Sequence, residues 1–144
     1  MDEHIISDFY FNRYNLENII FEYNPKFGSN EVDIDIKTEI ESACKRDVNE
    51  GYTKIKMSLW DESDGDNYPF KLEITIIGFF SGDDSMERNK FEKMCQYNGA
   101  AILFPFLRSA ITDITKASNV SPLVLPLINI KKFIDEERNK LNQD

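Results

Sequence analysis

The stretch Tyr97-Asn-Gly-Ala-Ala-Ile-Leu-Phe-Pro-Phe-Leu-Arg-Ser-Ala-Ile-Thr112 predicts a helix that is apolar around most of its circumference. From Ala100 the apolar positions are nearly continuous: Ile102, Leu103, Phe104, Phe106, Leu107, Ala110, Ile111 and Ile114. Such a helix must be covered on most sides, and one small sheet covers only one of them. The sequence therefore predicts that copies of the chain associate. The candidates for the interface are Ile102, Phe104, Phe106, Ile111 and Ile114.

The ends of this helix can be read from residues on either side of the stretch. Upstream, Asp84 or Ser85 can cap the helix, and Glu87 suits the positive end of the helix dipole. Pro105 inside the helix costs about 3 kcal/mol unless a local kink or start relieves it. Downstream, Ser118-Asn119 ends the helix.

Beyond the helix, the chain enters an apolar loop that contains two prolines, Ser121-Pro-Leu-Val-Leu-Pro-Leu-Ile128. Connections are generally polar and lie on the surface, so this composition is unusual. A second helix is predicted over about residues 130–141, with Phe133 and Ile134 facing the protein and charged side chains facing water.

The first half of the chain alternates apolar and polar residues. This two-residue period is typical of a strand with one solvent-exposed face. The clearest example is Val32-Asp-Ile-Asp-Ile-Lys-Thr-Glu-Ile-Glu41, and residues 54–59 and 70–76 repeat the pattern. Phe9 to Glu22 is a further strand, interrupted near Asn15. These strands and helices predict an α+β fold: a four-stranded antiparallel sheet followed by two helices, in a single domain over residues 1–144.

The connections between these strands differ in length. Asp64-Gly65 suits a tight hairpin because Gly accepts positive φ, and Asn49-Glu50-Gly51 suits another turn. Residues 24–30 are too many for a minimal hairpin. We interpret them as a connection that crosses the sheet between the first two strands.

Composition excludes several classes of partner. Lys and Arg number 17 against 26 Asp and Glu, a net charge of −9, whereas a nucleic-acid surface needs clustered basic residues.

Cys44 and Cys95 lack the spacing of a metal or redox motif and are expected to be free thiols. The acidic start at Met1 lacks the features of a signal peptide, and the longest apolar run, residues 100–107, is far below the ~20 residues of a membrane span. The expected location is the cytoplasm, with no insertion into a membrane.

Residues suited to catalysis are scarce. His4 is the one histidine and lies near the start of the chain, which argues against a Ser–His or Cys–His nucleophile. The chain has no phosphate-binding Gly-rich motif. The acidic loop from Asp61 to Asn67 has Ser63 and Gly65 at positions where a calcium loop needs ligands. We therefore expect no cofactor, no metal and no enzyme activity.

The quoted stretch resembles the first long helix of the SecB family of export chaperones, most specifically in Ile102-Leu-Phe-Pro-Phe-x-Arg108. Asn119-Val-Ser-Pro-Leu-Val-Leu-Pro-Leu-Ile-Asn-Ile130 resembles the Pro-rich loop that leads into the family's last helix. Near the start, Phe9-x-Phe11-x-Arg13 and Ile19-Ile-Phe-Glu-x-x-Pro25 are also similar. The resemblance implies a dimer of dimers, a homotetramer whose first helices are sandwiched between sheets.

The resemblance also implies a function, an ATP-independent holdase that binds unfolded polypeptides, including preproteins, for Sec-dependent export. Clients would bind in grooves between the second helix and the sheet, lined by the crossing connection and the Pro-rich loop. Carried over by position, the groove residues are Phe27, Leu123, Leu125, Leu127, Phe133 and Ile134. For each of them the alternative is that it simply closes the core.

In the family, an acidic patch on the outer sheet face receives the basic tail of the SecA motor. Glu22 and Glu73 match that patch, but Asn18 and Lys71 stand where an acid and an apolar residue are expected, which weakens the attraction for SecA. Two other functions stay open. One is a dedicated SecB-like chaperone of a single partner, such as the antitoxin of a toxin–antitoxin system, and the other is a small enzyme with an acidic pocket.

Overall fold

A computed structural model of the chain describes residues 8–28, 32–121, 125 and 129–142. Four strands come first and two helices follow: β1 Phe9–Tyr23, β2 Ile36–Cys44, β3 Glu50–Leu59, β4 Phe70–Gly82, α1 Arg88–Ala117 and α2 Ile130–Asn142. All neighbouring strands are antiparallel. The predicted α+β fold is therefore confirmed.

The strand order in the sheet is β1-β4-β3-β2. Because β1 and β2 lie at opposite edges, the chain between Tyr23 and Ile36 must cross the end of the sheet, as the sequence predicted. Asp64-Gly65 lies in the connection between β3 and β4, where Gly65 has a φ of +69°. β1 changes register after Phe11 and again after Leu16, on either side of the predicted interruption at Asn15.

The core lies on one face of the sheet, which we call the inner face. The buried residues there follow the predicted alternation: Ile55, Met57 and Leu59 on β3, and Phe70, Leu72, Ile74 and Ile76 on β4. The intervening residues point to the opposite, outer face. Alternation alone therefore placed these side chains correctly, since the side-chain period of a strand is two.

α1 packs across the inner face through side chains at four-residue steps, namely Phe91, Cys95, Leu103, Leu107 and Ile111. Gly99 continues the series at the point of closest approach, because a Cβ there would lie 2.5 Å from Thr53 Oγ1. Pro105 lies inside α1. Because proline has no N–H, the carbonyl of Ala101 receives no helix hydrogen bond from position 105. Both Ala101 and Pro105 are exposed, so the missing hydrogen bond lies on the side of the helix away from the sheet.

Three predicted boundaries were wrong. β2 begins at Ile36 rather than Val32, because β3 ends at Leu59 and leaves no strand for the preceding residues to pair with. Gly51 belongs to β3 rather than to a turn, and a Cβ there would lie 2.7 Å from Ala43 O. α1 starts after Glu87, which makes no side-chain cap hydrogen bond, so neither Asp84 nor Ser85 caps it.

Neither α1 nor α2, the helices in the described part of the chain, is long and apolar enough to cross a membrane.

Candidate functional site

A pocket of about 490 Å³ lies between α2 and the start of β2, and we call it the α2 pocket. Its lining is Ile36, Lys37, Thr38, Glu39, Met57, Phe104, Leu125, Phe133, Glu137 and Lys140. Met57, Phe104 and Leu125 are buried and form its floor, and Phe133 is half-buried. The charged residues lie at its rim. An apolar floor with a charged rim suits an apolar side chain carried by a polar chain.

A second pocket, of about 410 Å³, lies at the end of the sheet where the connection crosses, and we call it the crossover pocket. Its lining is Tyr23, Asn24, Phe27, Val32, Ile34, Trp60, Pro69, Phe70, Asn119, Val120 and Ser121. Trp60 and Phe70 meet edge to face, with ring centroids 4.9 Å apart. Phe27 is half-buried beside them.

The two pockets adjoin along the chain from Ile34 to Ile36. Ile34 lines the crossover pocket and Ile36 lines the α2 pocket, and residues two apart in an extended chain lie about 7 Å from each other. Both side chains are open to solvent, at 44% and 41% exposed. We call the two pockets and this segment together the groove.

The β2 edge offers backbone groups to the groove. Trp60 N–H donates to Asp35 O at 2.9 Å, and Lys45 N–H donates to Glu50 O at 2.8 Å. Hydrogen-bonded pairs recur at every second residue of an antiparallel ladder, so the odd-numbered residues of β2 bond to β3. The N–H and C=O groups of Ile36 and Thr38 therefore point away from β3, at the free edge of the sheet.

α2 is held in place along the groove. Ile130 and Ile134 are buried in the core, and Tyr97 Oη donates to Asp135 Oδ1 at 2.8 Å, which joins α1 to α2. Asn129 Oδ1 accepts from Lys132 N–H at 3.0 Å and so caps the start of α2.

The predicted groove residues have different positions. Phe27 lines the crossover pocket, and Leu125 and Phe133 line the α2 pocket. Ile134 is buried in the core, while Leu123 and Leu127 lie outside the described residues. The sequence did not single out Trp60, Ile34 or Ile36. Ile34 and Ile36 carried an apolar signal, but alternation could not indicate that α1 leaves them uncovered.

The predicted interface residues also separate into two groups. Phe104 and Ile111 are packed within the chain's own core, at 5% and 0% exposed, so they have no surface to offer to a second copy. Phe106 is exposed, and Ile102 and Ile114 are half-buried.

Next to Phe106, the inner face of β1 is uncovered. Tyr14 stacks on Phe106 with ring centroids 4.6 Å apart. Leu16 and Ile19 pair in register with the inner-face residues Ile76 and Ile74, yet both are exposed. We call Tyr14, Leu16, Ile19 and Phe106 the β1 strip. A contiguous apolar strip of this kind is typical of a surface that binds another chain.

The outer face carries the predicted acidic residues, but with counter-charges beside them. Glu73 accepts a hydrogen bond from Asn18 Nδ2 at 2.8 Å and lies 3.3 Å from Lys56 Nζ. Glu22 is exposed and pairs in register with Lys71. This face therefore has acidic and basic residues intermingled around Glu73.

The buried thiol of Cys95 lacks the properties of a reactive site. Both Cys44 and Cys95 are free. Burial raises the pKa of the Cys95 thiol, and the neighbouring Cys44 raises that pKa further, so Cys95 stays protonated and unreactive at neutral pH. Among the residues that the structure describes, no three His, Cys, Asp or Glu side chains come together as metal ligands would.

Comparison with known sequences identifies relatives over most of the chain. The family model for SecB, the preprotein translocase subunit SecB, matches residues 2–140. An uncharacterized protein of Methanocaldococcus jannaschii is 31% identical over 115 residues, which cover 80% of this chain and 73% of that protein.

Two relatives are protein-export proteins SecB. That of Anaplasma phagocytophilum is 30% identical over 70 residues, covering 47% of this chain and 44% of the relative. That of Roseobacter denitrificans is 26% identical over 110 residues, covering 76% of this chain and 64% of the relative. The matches therefore span less than two thirds of each of these two proteins.

Solved structures share the fold. A SecB-like chaperone of Mycobacterium tuberculosis, in complex with a ChAD peptide from the HigA1 antitoxin, matches with a TM-score of 0.61 at 16% identity, over 84% of this chain and 91% of that one. A Streptococcus agalactiae protein of unknown function matches with a TM-score of 0.54 at 11% identity, over 85% and 99% of the two chains. At such identities the likeness establishes the fold.

Proposed function

This chain belongs to the SecB family of chaperones, and we propose that it is an ATP-independent holdase that binds unfolded segments of preproteins in the groove for Sec-dependent export. Because the family consists of chaperones rather than enzymes, the prediction that the chain is not an enzyme is confirmed. The observation that carries the proposal is the juxtaposition of two apolar pockets with an exposed strand edge.

An extended client segment can use both parts of this groove. Its backbone would pair with the outward N–H and C=O groups of Ile36 and Thr38, as an added strand. Every second side chain of the client would then face the α2 pocket, since the side chains of Ile36 and Thr38, with which its backbone pairs, face that pocket. Backbone pairing is independent of client sequence, and burial contributes about 25 cal/mol per Å² of apolar area. Binding of this kind suits diverse clients and needs no ATP.

The alternative is a dedicated chaperone of one partner, such as an antitoxin. The observation that favours it is the M. tuberculosis SecB-like chaperone, which shares the fold and is bound to a peptide of the HigA1 antitoxin. The two functions would use the same groove and differ in the range of clients. Capture of bound proteins from the native cytoplasm separates them, because many preproteins support the holdase and a single dominant protein supports the dedicated chaperone.

We also propose a homotetramer in which the β1 strip, together with Ile102 and Ile114, is covered by further copies. Covering the strip would remove exposed apolar side chains from water and would add to the partial cover that α1 receives from its own sheet. The counter-charges around Glu73 argue against strong docking of SecA on the outer face, because the basic tail would compete with Lys56 and Asn18 for the same carboxylate.

The experiment that tests the holdase function is suppression of aggregation of a chemically unfolded preprotein by the purified chain. We expect Phe27→Ser and Phe133→Ser each to weaken the protection while the circular dichroism spectrum is retained. The matched control is Phe79→Ser, since Phe79 is also half-buried but lies on the outer face under Arg13, 4.2 Å from the guanidinium carbon to the ring centroid. Equal protection by wild type and both groove variants would exclude the groove. No protection by wild type would exclude the holdase.

A further inference from the structure

Trp60 occupies an unusual position in the backbone. It is the one tryptophan of the chain and follows the last residue of β3 with a φ of +56°. A bulky L-residue rarely adopts this left-handed conformation, and such residues persist where surrounding contacts hold them. The turn directs the chain out of the sheet, while the indole ring stays buried at 4% exposed.

Trp60 holds the crossing connection through two hydrogen bonds. Its main-chain N–H donates to Asp35 O at 2.9 Å, and its indole Nε1–H donates to Asp33 O at 3.2 Å. Within the described part of the chain, these are the hydrogen bonds that residues 32–35 make. No strand pairs with this segment, because β2 begins only at Ile36. Trp60 therefore fixes the main chain of Asp33 and Asp35, while the Val32 side chain packs against the core.

Those residues are a wall of the groove. Val32 and Ile34 line the crossover pocket together with Phe27, and Trp60 itself lines the same pocket. The indole also makes an edge-to-face contact with Phe70, which in turn stacks on Phe21 with ring centroids 5.2 Å apart. One residue thus joins the rigid end of the sheet to the wall of a binding pocket.

We infer that Trp60 is a positioning residue for client binding: it fixes residues 32–35 so that the crossover pocket is open and shaped for a bulky apolar side chain of the client. This inference rests on the proposed holdase function. Its physical basis is preorganisation, because a wall that is already ordered loses less conformational freedom when a client binds.

The test variant is Trp60→Phe, which keeps an aromatic ring against Phe70 and the main-chain N–H but removes the indole donor to Asp33 O. Affinity is measured by fluorescence anisotropy with a fluorescein-labelled, Trp-free unfolded peptide rich in Phe and Leu. We expect binding to weaken roughly three- to tenfold, the range that corresponds to loss of one hydrogen bond. The matched control is Tyr10→Phe, which removes the Tyr10 Oη bond to Asp83 Oδ1 (2.7 Å) far from the groove and should leave the affinity unchanged.

A second readout uses Trp60 itself. Titration of the wild type with the unlabelled peptide should change the Trp60 emission, with the same dissociation constant as the anisotropy. If Trp60 had only a structural role, Trp60→Phe and Tyr10→Phe would bind the peptide with equal affinity, and that result overturns the inference. Trp60 emission that stays constant when the wild type is saturated with peptide overturns it as well. If the wild type binds no unfolded peptide, the holdase function itself fails, so the two failures are distinguishable.

Discussion

Arg108 holds the carbonyl oxygen of Leu125 with two donors of its guanidinium group, Nη2 at 2.7 Å and Nε at 3.0 Å. Arg108 lies on α1 and Leu125 in the Pro-rich segment before α2, where its buried side chain forms part of the floor of the α2 pocket. The arginine that ends the Ile102-Leu-Phe-Pro-Phe-x-Arg108 motif therefore fastens Leu125, in the floor of the α2 pocket, to α1.

Replacement of Arg108 by Met should release Leu125 from α1, since Met keeps the aliphatic stem but has no donor for the Leu125 carbonyl. Hydrogen bonds from charged groups contribute about 1.5–3 kcal/mol, so we expect a lower free energy of unfolding and weaker client binding. Urea unfolding and peptide anisotropy measure the two effects. Lys90→Met, at an exposed position near the start of α1 and outside the lining of the groove, is the control for loss of a positive charge. Equal affinities for both variants would contradict the anchoring role.

Replacement of Ile19 by Lys should break the proposed assembly. Ile19 lies in the β1 strip on the inner face, and a charge buried there without a partner is strongly unfavourable. The neighbouring Ile20 points to the outer face and is similarly exposed, 52% against 46%, so Ile20→Lys is a matched control. Light scattering at micromolar concentration should give the mass of four chains for wild type and Ile20→Lys, and a smaller mass for Ile19→Lys. A monomeric wild type, or an unchanged mass for Ile19→Lys, would exclude this interface.

Replacement of Gly99 by Ala should destabilise the contact between α1 and the sheet. The added Cβ would lie 2.5 Å from Thr53 Oγ1 and 3.1 Å from Phe80 Cε2, and overpacking of this kind costs typically about 1–3 kcal/mol. Ala favours a helix over Gly by about 1 kcal/mol, so we expect a net loss of up to about 2 kcal/mol in urea unfolding. Gly28→Ala is the control, because in the described part of the chain no atom beyond its immediate neighbours lies within 4 Å of a Cβ at Gly28. A Gly99→Ala chain as stable as wild type would show that the helix can shift freely.

Replacement of Lys56 by Met should strengthen binding of a basic peptide to the outer face, because it removes the cation beside Glu73. Exposed ion pairs contribute about 0.2–1 kcal/mol, so calorimetry with the basic tail of SecA should give roughly two- to fivefold tighter binding at low salt. The gain should fall as salt is added. Lys45→Met, which removes the partner of Glu50 (2.6 Å) at the other end of the sheet, should change the affinity less. Equal gains would indicate a general charge effect.

Side-chain periodicity predicted most of the fold, but it could not predict where pairing ends. The alternation from Val32 to Glu41 is regular, yet the strand begins at Ile36. The first residues of that pattern have no strand to pair with, because β3 ends at Leu59 and the backbone turns at Trp60. A strand requires a neighbour, and the neighbour's end lies elsewhere in the sequence.

The candidate site was predicted in part. Phe27 and Phe133 were singled out because of the resemblance to SecB, and both line pockets of the groove. Trp60 was not singled out from the sequence, since a lone tryptophan after a strand gives no local sign that its indole reaches the main chain of Asp33. Phe104 was assigned to a surface although it lies in the core, because a helix that is apolar all round does not indicate which side meets its own sheet.

The amino-acid sequence by itself determined the kinds of elements, their order and the family, because side-chain periods and the Ile102–Arg108 motif are local properties of the chain. Only the tertiary structure decided which apolar side chains stay exposed. Ile34 and Ile36 belong to the same alternation as the half-buried Ile40, and they differ from it because they line the open pockets of the groove. Burial depends on which surfaces meet after folding, and that is a property of contacts between residues far apart in the chain.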